Sequence, residues 1–137
     1  MALQFREIIR NGRLDAIEVV GGASCALRIY TGAPPADVTQ ANSGTLLVTM
    51  NLPANWMADA ASGQKALAGV WSGVASGGAG STPGHFRVYN SQATMDGTTC
   101  IIQGTCAIGS GDLNANGTIT AGQTVTVSAF TFTDANP

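Results

Sequence analysis

Charge is what this sequence has least of. Lys, Arg, Asp and Glu make up 10% of its 137 residues, against about 25% in ordinary soluble domains. Without a concentrated Lys/Arg patch and with aromatics at 6%, nucleic-acid binding is excluded, because phosphate neutralisation and base stacking need both. Reactive side chains are equally scarce. His85 is the sole imidazole, and Glu7 and Glu18 are the only glutamates, so a paired-carboxylate glycosidase site would have to draw on loop aspartates. No run approaches the roughly 20 apolar residues of a membrane span, and Arg6, Glu7 and Arg10 interrupt any signal-peptide core. We therefore expect synthesis and folding in a cytoplasm, with Cys25, Cys100 and Cys106 buried as free thiols.

What fills the chain instead is small and neutral: Gly, Ala, Ser, Thr and Asn around an ordinary 45% of hydrophobic residues. Such a surface is poorly protected by charge repulsion and suits being covered by neighbours. The few charges are unevenly placed. Arg6, Arg10, Arg13 and Arg28 make the start mildly basic, and the remainder is mildly acidic, so the first segment is expected to meet a different surface from the rest.

The hydrophobic period changes near Ala23. Before it, Phe5, Ile8 and Ile9 predict one short amphipathic helical piece ending at Asn11-Gly12, and Leu14, Ile17 and Val20 predict a second ending at Gly21-Gly22. After it the pattern is strand and turn. Strands are expected over Cys25 to Tyr30, half-buried, with Leu27 and Ile29 inward, and over Thr45 to Leu52, Ala66 to Ser72, His85 to Asn90, Thr99 to Ile108, Thr118 to Thr120 and Gln123 to Thr133. Pro53 favours a helical turn to Ala60 in which Trp56 and Met57 cap the core. The glycine-rich stretch Gly73 to Gly84 reads as a flexible loop. The chain is thus expected to be one all-β domain, an antiparallel jelly-roll-like sandwich over 23–137, preceded by a helical arm over 1–22.

The closing strand raises a question of face. Val125 and Val127 are odd-numbered, whereas Phe130 and Phe132 are even-numbered, so a flat strand would put the two pairs on opposite faces. Either an extra residue near Ser128-Ala129 brings all four to one core, or the strand is buried on both faces.

Motifs with chemistry are fragmentary. Gly73 and Gly78 have the spacing of a phosphate loop, but Ala79 and Gly80 stand where Lys and Ser/Thr are needed. Asp112, Asn114, Asn116 and Gly117 match the start of a calcium loop, yet its bidentate acid falls on Gln123; a hairpin turn at Asn116-Gly117 explains the same residues. Ser24 departs from a nucleophile elbow at Ala26, and the three cysteines with His85 lack the close pair typical of zinc sites. No catalytic, metal or cofactor site is assigned, and the chain is read as a non-enzyme.

The ordered segments LRIYTGAPPADV, TLLVTMNLPANWM, KALAGVWSG, GHFRVYNS, CIIQGT and TITAGQTVTVSAFTFTDAN resemble small virion proteins of tailed bacteriophages, and within these the jelly-roll capsid cement, or decoration, proteins. The resemblance spans nearly the whole chain. It implies a structural function on the outside of the capsid, binding the major capsid protein and joining neighbouring subunits, after assembly in the host cytoplasm. Phe5, Arg6, Ile8, Ile9, Arg10 and Arg13 are the expected capsid-facing or self-associating residues, a homodimer the default oligomer, and the loops Thr31 to Asn42 and Gly73 to Gly84 are expected to order on assembly. A different expectation, a receptor- or glycan-binding module of a tail or head fibre, needs exposed aromatics, and only Trp56, Trp71, Tyr30 and Tyr89 are available.

Overall fold

Helix formation at the N-terminus is stronger than the glycine signal within it. The computed structural model describes residues 2–136, and in it a single helix, α1 (Glu7–Gly21), runs straight through Asn11-Gly12. Two separate pieces are therefore not formed. A glycine inside a helix costs only about 1 kcal/mol, and the residues around it are tied to the β domain: Asn11 Oδ1 accepts from Gly63 N–H at 2.9 Å, and Asp15 Oδ1 accepts from Ala60 N–H at 2.8 Å. The helix does stop at Gly21-Gly22. Gly22 has a positive φ of 79°, and its N–H donates to Glu18 O, the kind of left-handed ending that glycine permits.

The rest is mostly β. Nine strands follow among the described residues: β1 (Ala26–Tyr30), β2 (Leu46–Asn51), β3 (Gln64–Ala66), β4 (Trp71–Val74), β5 (His85–Tyr89), β6 (Cys100–Ile108), β7 (Leu113–Ala115), β8 (Thr124–Val127) and β9 (Thr131–Thr133). They form a five-stranded sheet ordered β2-β1-β5-β6-β7 and two-stranded pairs β3-β9 and β4-β8. A bridge between Val48 and Ala75, with Ser76 N–H donating to Leu47 O, brings β4 to the β2 edge. The sheets thereby curl around one core containing Leu27, Ile29, Leu47, Met50, Trp56, Trp71, Phe86, Val88 and Phe130.

A purely antiparallel arrangement is not what forms. β6 and β7 pair in parallel, Cys106 opposite Leu113 and Ile108 opposite Ala115. Parallel neighbours ordinarily require a long crossover; here residues 109–112 suffice, with Gly109 and Gly111 both at positive φ (74° and 86°). Asp112 fixes the return, its Oδ2 accepting from both the N–H and the hydroxyl of Thr105.

Other expected elements also differ. Pro53 to Ala60 makes no helical turn, because its backbone bonds outward: Trp56 O accepts from Ala68 N–H, and Ala58 N–H donates to Ala66 O. Trp56 and Met57 are nonetheless fully buried. That diversion at Ala68 also divides the expected Ala66 to Ser72 strand into β3 and β4, leaving Val70 exposed. Gly73 and Val74 belong to β4 and not to a loop, and Thr118 to Thr120 contributes one bridge, Ile119 to Ser81, in place of a strand. Strand β1 is buried on both faces instead of one.

The closing segment resolves toward one core. Val127 and Phe130 are buried, and Val125 and Phe132 pack half-buried against the same cluster. The chain leaves strand geometry at 128–130 and changes partner, β8 pairing with β4 and β9 with β3. Since Ala66 faces Thr131 and Trp71 faces Val127, residues 67–70 stand against 128–130. The extra residue is on the opposite strand, not at Ser128-Ala129.

Candidate functional site

The residues expected to form an interface separate into two groups. Phe5, Arg10 and Arg13 are engaged by the chain's own C-terminal segment. Phe5 N–H donates to Asn136 Oδ1 at 2.9 Å, Asn136 Nδ2 donates back to Phe5 O at 3.0 Å, and the Arg13 guanidinium lies 5.0 Å over the Phe5 ring. Arg13 Nε also meets Asp134 Oδ2 at 3.2 Å, and an Arg10 NH donates to Asp134 O at 3.0 Å. Arg6 is exposed at the helix entry and makes no side-chain cap. Ile8 and Ile9 face outward, 74% and 50% exposed.

The structure adds residues that the sequence reading did not assign to the interface. Val20, at helical spacing from Leu14 and Ile17, does not pack on the β domain with them: it is 76% exposed and Val19 80%. With Gly12 and Ala16 also exposed, α1 carries an apolar stripe on its outer face as well as on its packed face. The helical period alone could have shown this, since residues 8, 9, 12, 16, 19 and 20 share one side of a 3.6-residue turn. Beside the stripe runs an open groove of about 300 Å³, lined by Arg13, Ala16, Ile17, Val20, Ile101 and Ile102.

The packed face is held by an ion cluster. Lys65, on β3 and almost fully buried, donates to Asp15 Oδ1 at 2.8 Å and to Ala58 O at 2.8 Å, and meets Glu18 Oε2 at 3.1 Å. Burial pushes the ammonium pKa down, but hydrogen bonds and charge from Asp15 and Glu18 outweigh it, and the net shift is upward. The Lys65 hydrogen bond in turn holds the Asp15 carboxyl below its usual value. The helix end is docked by Trp56, whose Nε1–H donates to Gly22 O at 3.1 Å. A side chain at Gly21 would stand 2.9 Å from the Trp56 ring.

The sheet face away from the core is polar and covered. Tyr30 and His85 stack at 5.1 Å, the Tyr30 and Tyr89 hydroxyls lie 2.7 Å apart, and Tyr89 O–H donates to Asn42 Oδ1 at 2.7 Å. Arg87 is fully buried and donates to Gln40 O, Val38 O and Asn42 Oδ1; Gln103 Nε2 donates to Pro35 O. These bonds fix loop 31–42 within the chain, contrary to an ordering that waits for assembly. Loop 73–84 is likewise tied, Gly80 N–H donating to Thr120 Oγ1 and Gly84 N–H to Tyr30 O. His85 Nδ1–H donates to Gly32 O at 2.9 Å, while its Nε2 has no partner. Burial lowers the His85 pKa, the Gly32 bond partly opposing it.

The fragmentary motifs resolve into structural roles. Asp112 Oδ2 accepts from Thr105, and Asn114 Oδ1 accepts from Gly109 N–H, so these two oxygens of the suspected calcium loop serve its own turn. Asn116-Gly117 is not the expected hairpin turn either, because neither residue has positive φ. All three cysteines are free and buried, and burial pushes Cys25 and Cys106 up to about 11. A cleft of about 200 Å³ opens between the β7 and β8 edges, with Leu113, Ile119 and Val127 at its floor and Asn114, Asn116 and Thr126 along its rim. No known family model matches the chain, and no curated protein or solved structure matches it.

Proposed function

We propose that this chain is a structural virion protein of a tailed bacteriophage, a cement protein that binds the outside of the capsid and joins neighbouring major capsid subunits. The observation that carries the reading is the exposed apolar face of α1 on a domain with few charged residues. Contiguous apolar surface of this kind marks an interaction site. In a lattice, weak contacts repeated across many copies add up to firm binding. The order of sequence segments supports the same reading, as does the curled β domain, which we take to be a jelly-roll variant. Its titratable side chains serve packing, Lys65 and Arg87 as buried clasps, and we infer no enzymatic role.

Glycan or receptor recognition is less well supported. Trp56, Trp71, Tyr30 and Tyr89 are all buried, which removes the stacking platform that sugars favour. The test is reconstitution: purified protein added to capsids lacking it, imaged and then heated. Saturable binding at fixed lattice positions with raised heat resistance is the expected result. Binding to host cells or glycans without capsid binding would reject the proposal.

A further inference from the structure

The outer stripe of α1 has an internal order of its own. Ile9, Gly12, Ala16 and Val19 recur at intervals of three, four and three, the spacing of a coiled-coil seam. All four are exposed, with Ile8 and Val20 flanking them. The series reads the same from both ends in size: large, small, small, large. Gly12 has no local explanation, since it occupies a helix interior where glycine is a poor former, and a side chain there would meet nothing within 4 Å. A second helix crossing at that point gives its smallness a purpose.

We propose that α1 pairs with α1 of a second copy, antiparallel, about a two-fold axis near residue 14. In that register Ile9 lies level with Val19 of the second copy, Gly12 with Ala16, and Ile8 with Val20. The interface is isologous, as closed dimers require, with small residues at the centre allowing close approach and large ones sealing each end. Of the charges bordering the stripe, Arg13 is neutralised by Asp134 and Asp15 by Lys65 within each chain, and Arg6 stands at the helix entry beyond Ile8. Two copies therefore meet through a strip of uncharged residues, Ile8, Ile9, Gly12, Ala16, Val19 and Val20. The groove beside Ala16 and Val20 adds Ile101 and Ile102 to the surface that a second helix covers.

This pairing goes beyond the proposed function: it assigns the outer face of α1 to a second copy and rests on that face alone. Its test uses no capsid, so its failure and the failure of capsid binding are separately visible. Sedimentation velocity over a concentration series is expected to show mass rising from 13.8 kDa toward twice that value. Ile9→Asp, Val19→Asp and Gly12→Leu, all at exposed positions, are expected to keep the circular dichroism of the parent while remaining monomeric. Register is read by cysteine cross-linking, since the native thiols are buried. A mixture of Ile9→Cys and Val19→Cys chains should form the mixed disulfide, and neither variant alone should cross-link. A parent that is monomeric throughout, a dimer undiminished in the variants, or self-cross-linking of the single variants would each overturn the pairing.

Discussion

His85 shows how one side chain can set a pH dependence. Its ring is buried, its Nδ1–H is committed to Gly32 O, and a proton on Nε2 would find no acceptor. Unfolded, the same imidazole protonates near pH 6.5; folded, it does so only at lower pH. As pH falls from about 7.5 to about 5 the unfolded state thus binds the additional proton, and stability declines by at most about 1.4 kcal/mol per pH unit. His85 is the sole histidine, and the carboxyls of Asp15, Asp37 and Asp96 are held below their usual values, so their contributions are lost only at lower pH. Urea denaturation across that range should show the slope in the parent and none in His85→Gln; a flat parent profile would reject the assignment. Phe130 supplies a packing test. It contacts Trp71, Phe86 and Phe132 at ring separations of 5.6, 5.5 and 4.9 Å, so Phe130→Ala should cost about 3–5 kcal/mol in chemical denaturation and half-buried Phe132→Ala clearly less. Gly117→Ala discriminates in the other direction. With ordinary φ and open space around it, the change should be neutral or stabilise by up to about 1 kcal/mol, whereas a hairpin turn at Asn116-Gly117 would make it costly.

At the scale of elements, α1 depends on the β domain at Lys65. Replacing both Asp15 by Asn and Glu18 by Gln leaves the ammonium buried among neutral oxygens with no counter-charge, whereas Lys65→Met leaves two partly exposed carboxylates that water can reach. The double variant is therefore expected to unfold at lower urea than Lys65→Met, with α1 losing hydrogen-exchange protection first; the reverse order would contradict the role of the clasp. The limits of reading such elements from sequence follow from the same kind of contact. Strands β2, β5 and β6 were legible because turn residues bound their apolar runs, although in β5 the polar His85 and Arg87 are buried as well. The unbroken helix was not, since Asn11-Gly12 looks like a stop until Gly63 is seen donating to Asn11. β7 was hidden because Asp112 and Asn114 serve a glycine return to which no local pattern points. Of the expected interface residues, Ile8 and Ile9 are free on the surface, and the occupation of Arg10 and Arg13 is written in Asp134, far along the chain.

Across the whole molecule, the curled sheet encloses one apolar core while a polar layer of Tyr30, His85, Arg87 and Tyr89 lies beneath loop 31–42. Both faces of β1 and β5 are thereby sealed, and α1 carries four exposed large apolar side chains, Ile8, Ile9, Val19 and Val20, along one side. The free thiols sit at three depths of this arrangement: Cys25 where α1 meets β1, Cys100 at the start of β6, and Cys106 beside β7. At pH 8 a thiol held up to about 11 is thiolate in roughly one molecule in a thousand, so alkylation has to wait for the surrounding structure to open. The order in which the three cysteines take up label, followed by mass spectrometry, is then a native clock of which part of the molecule breathes first.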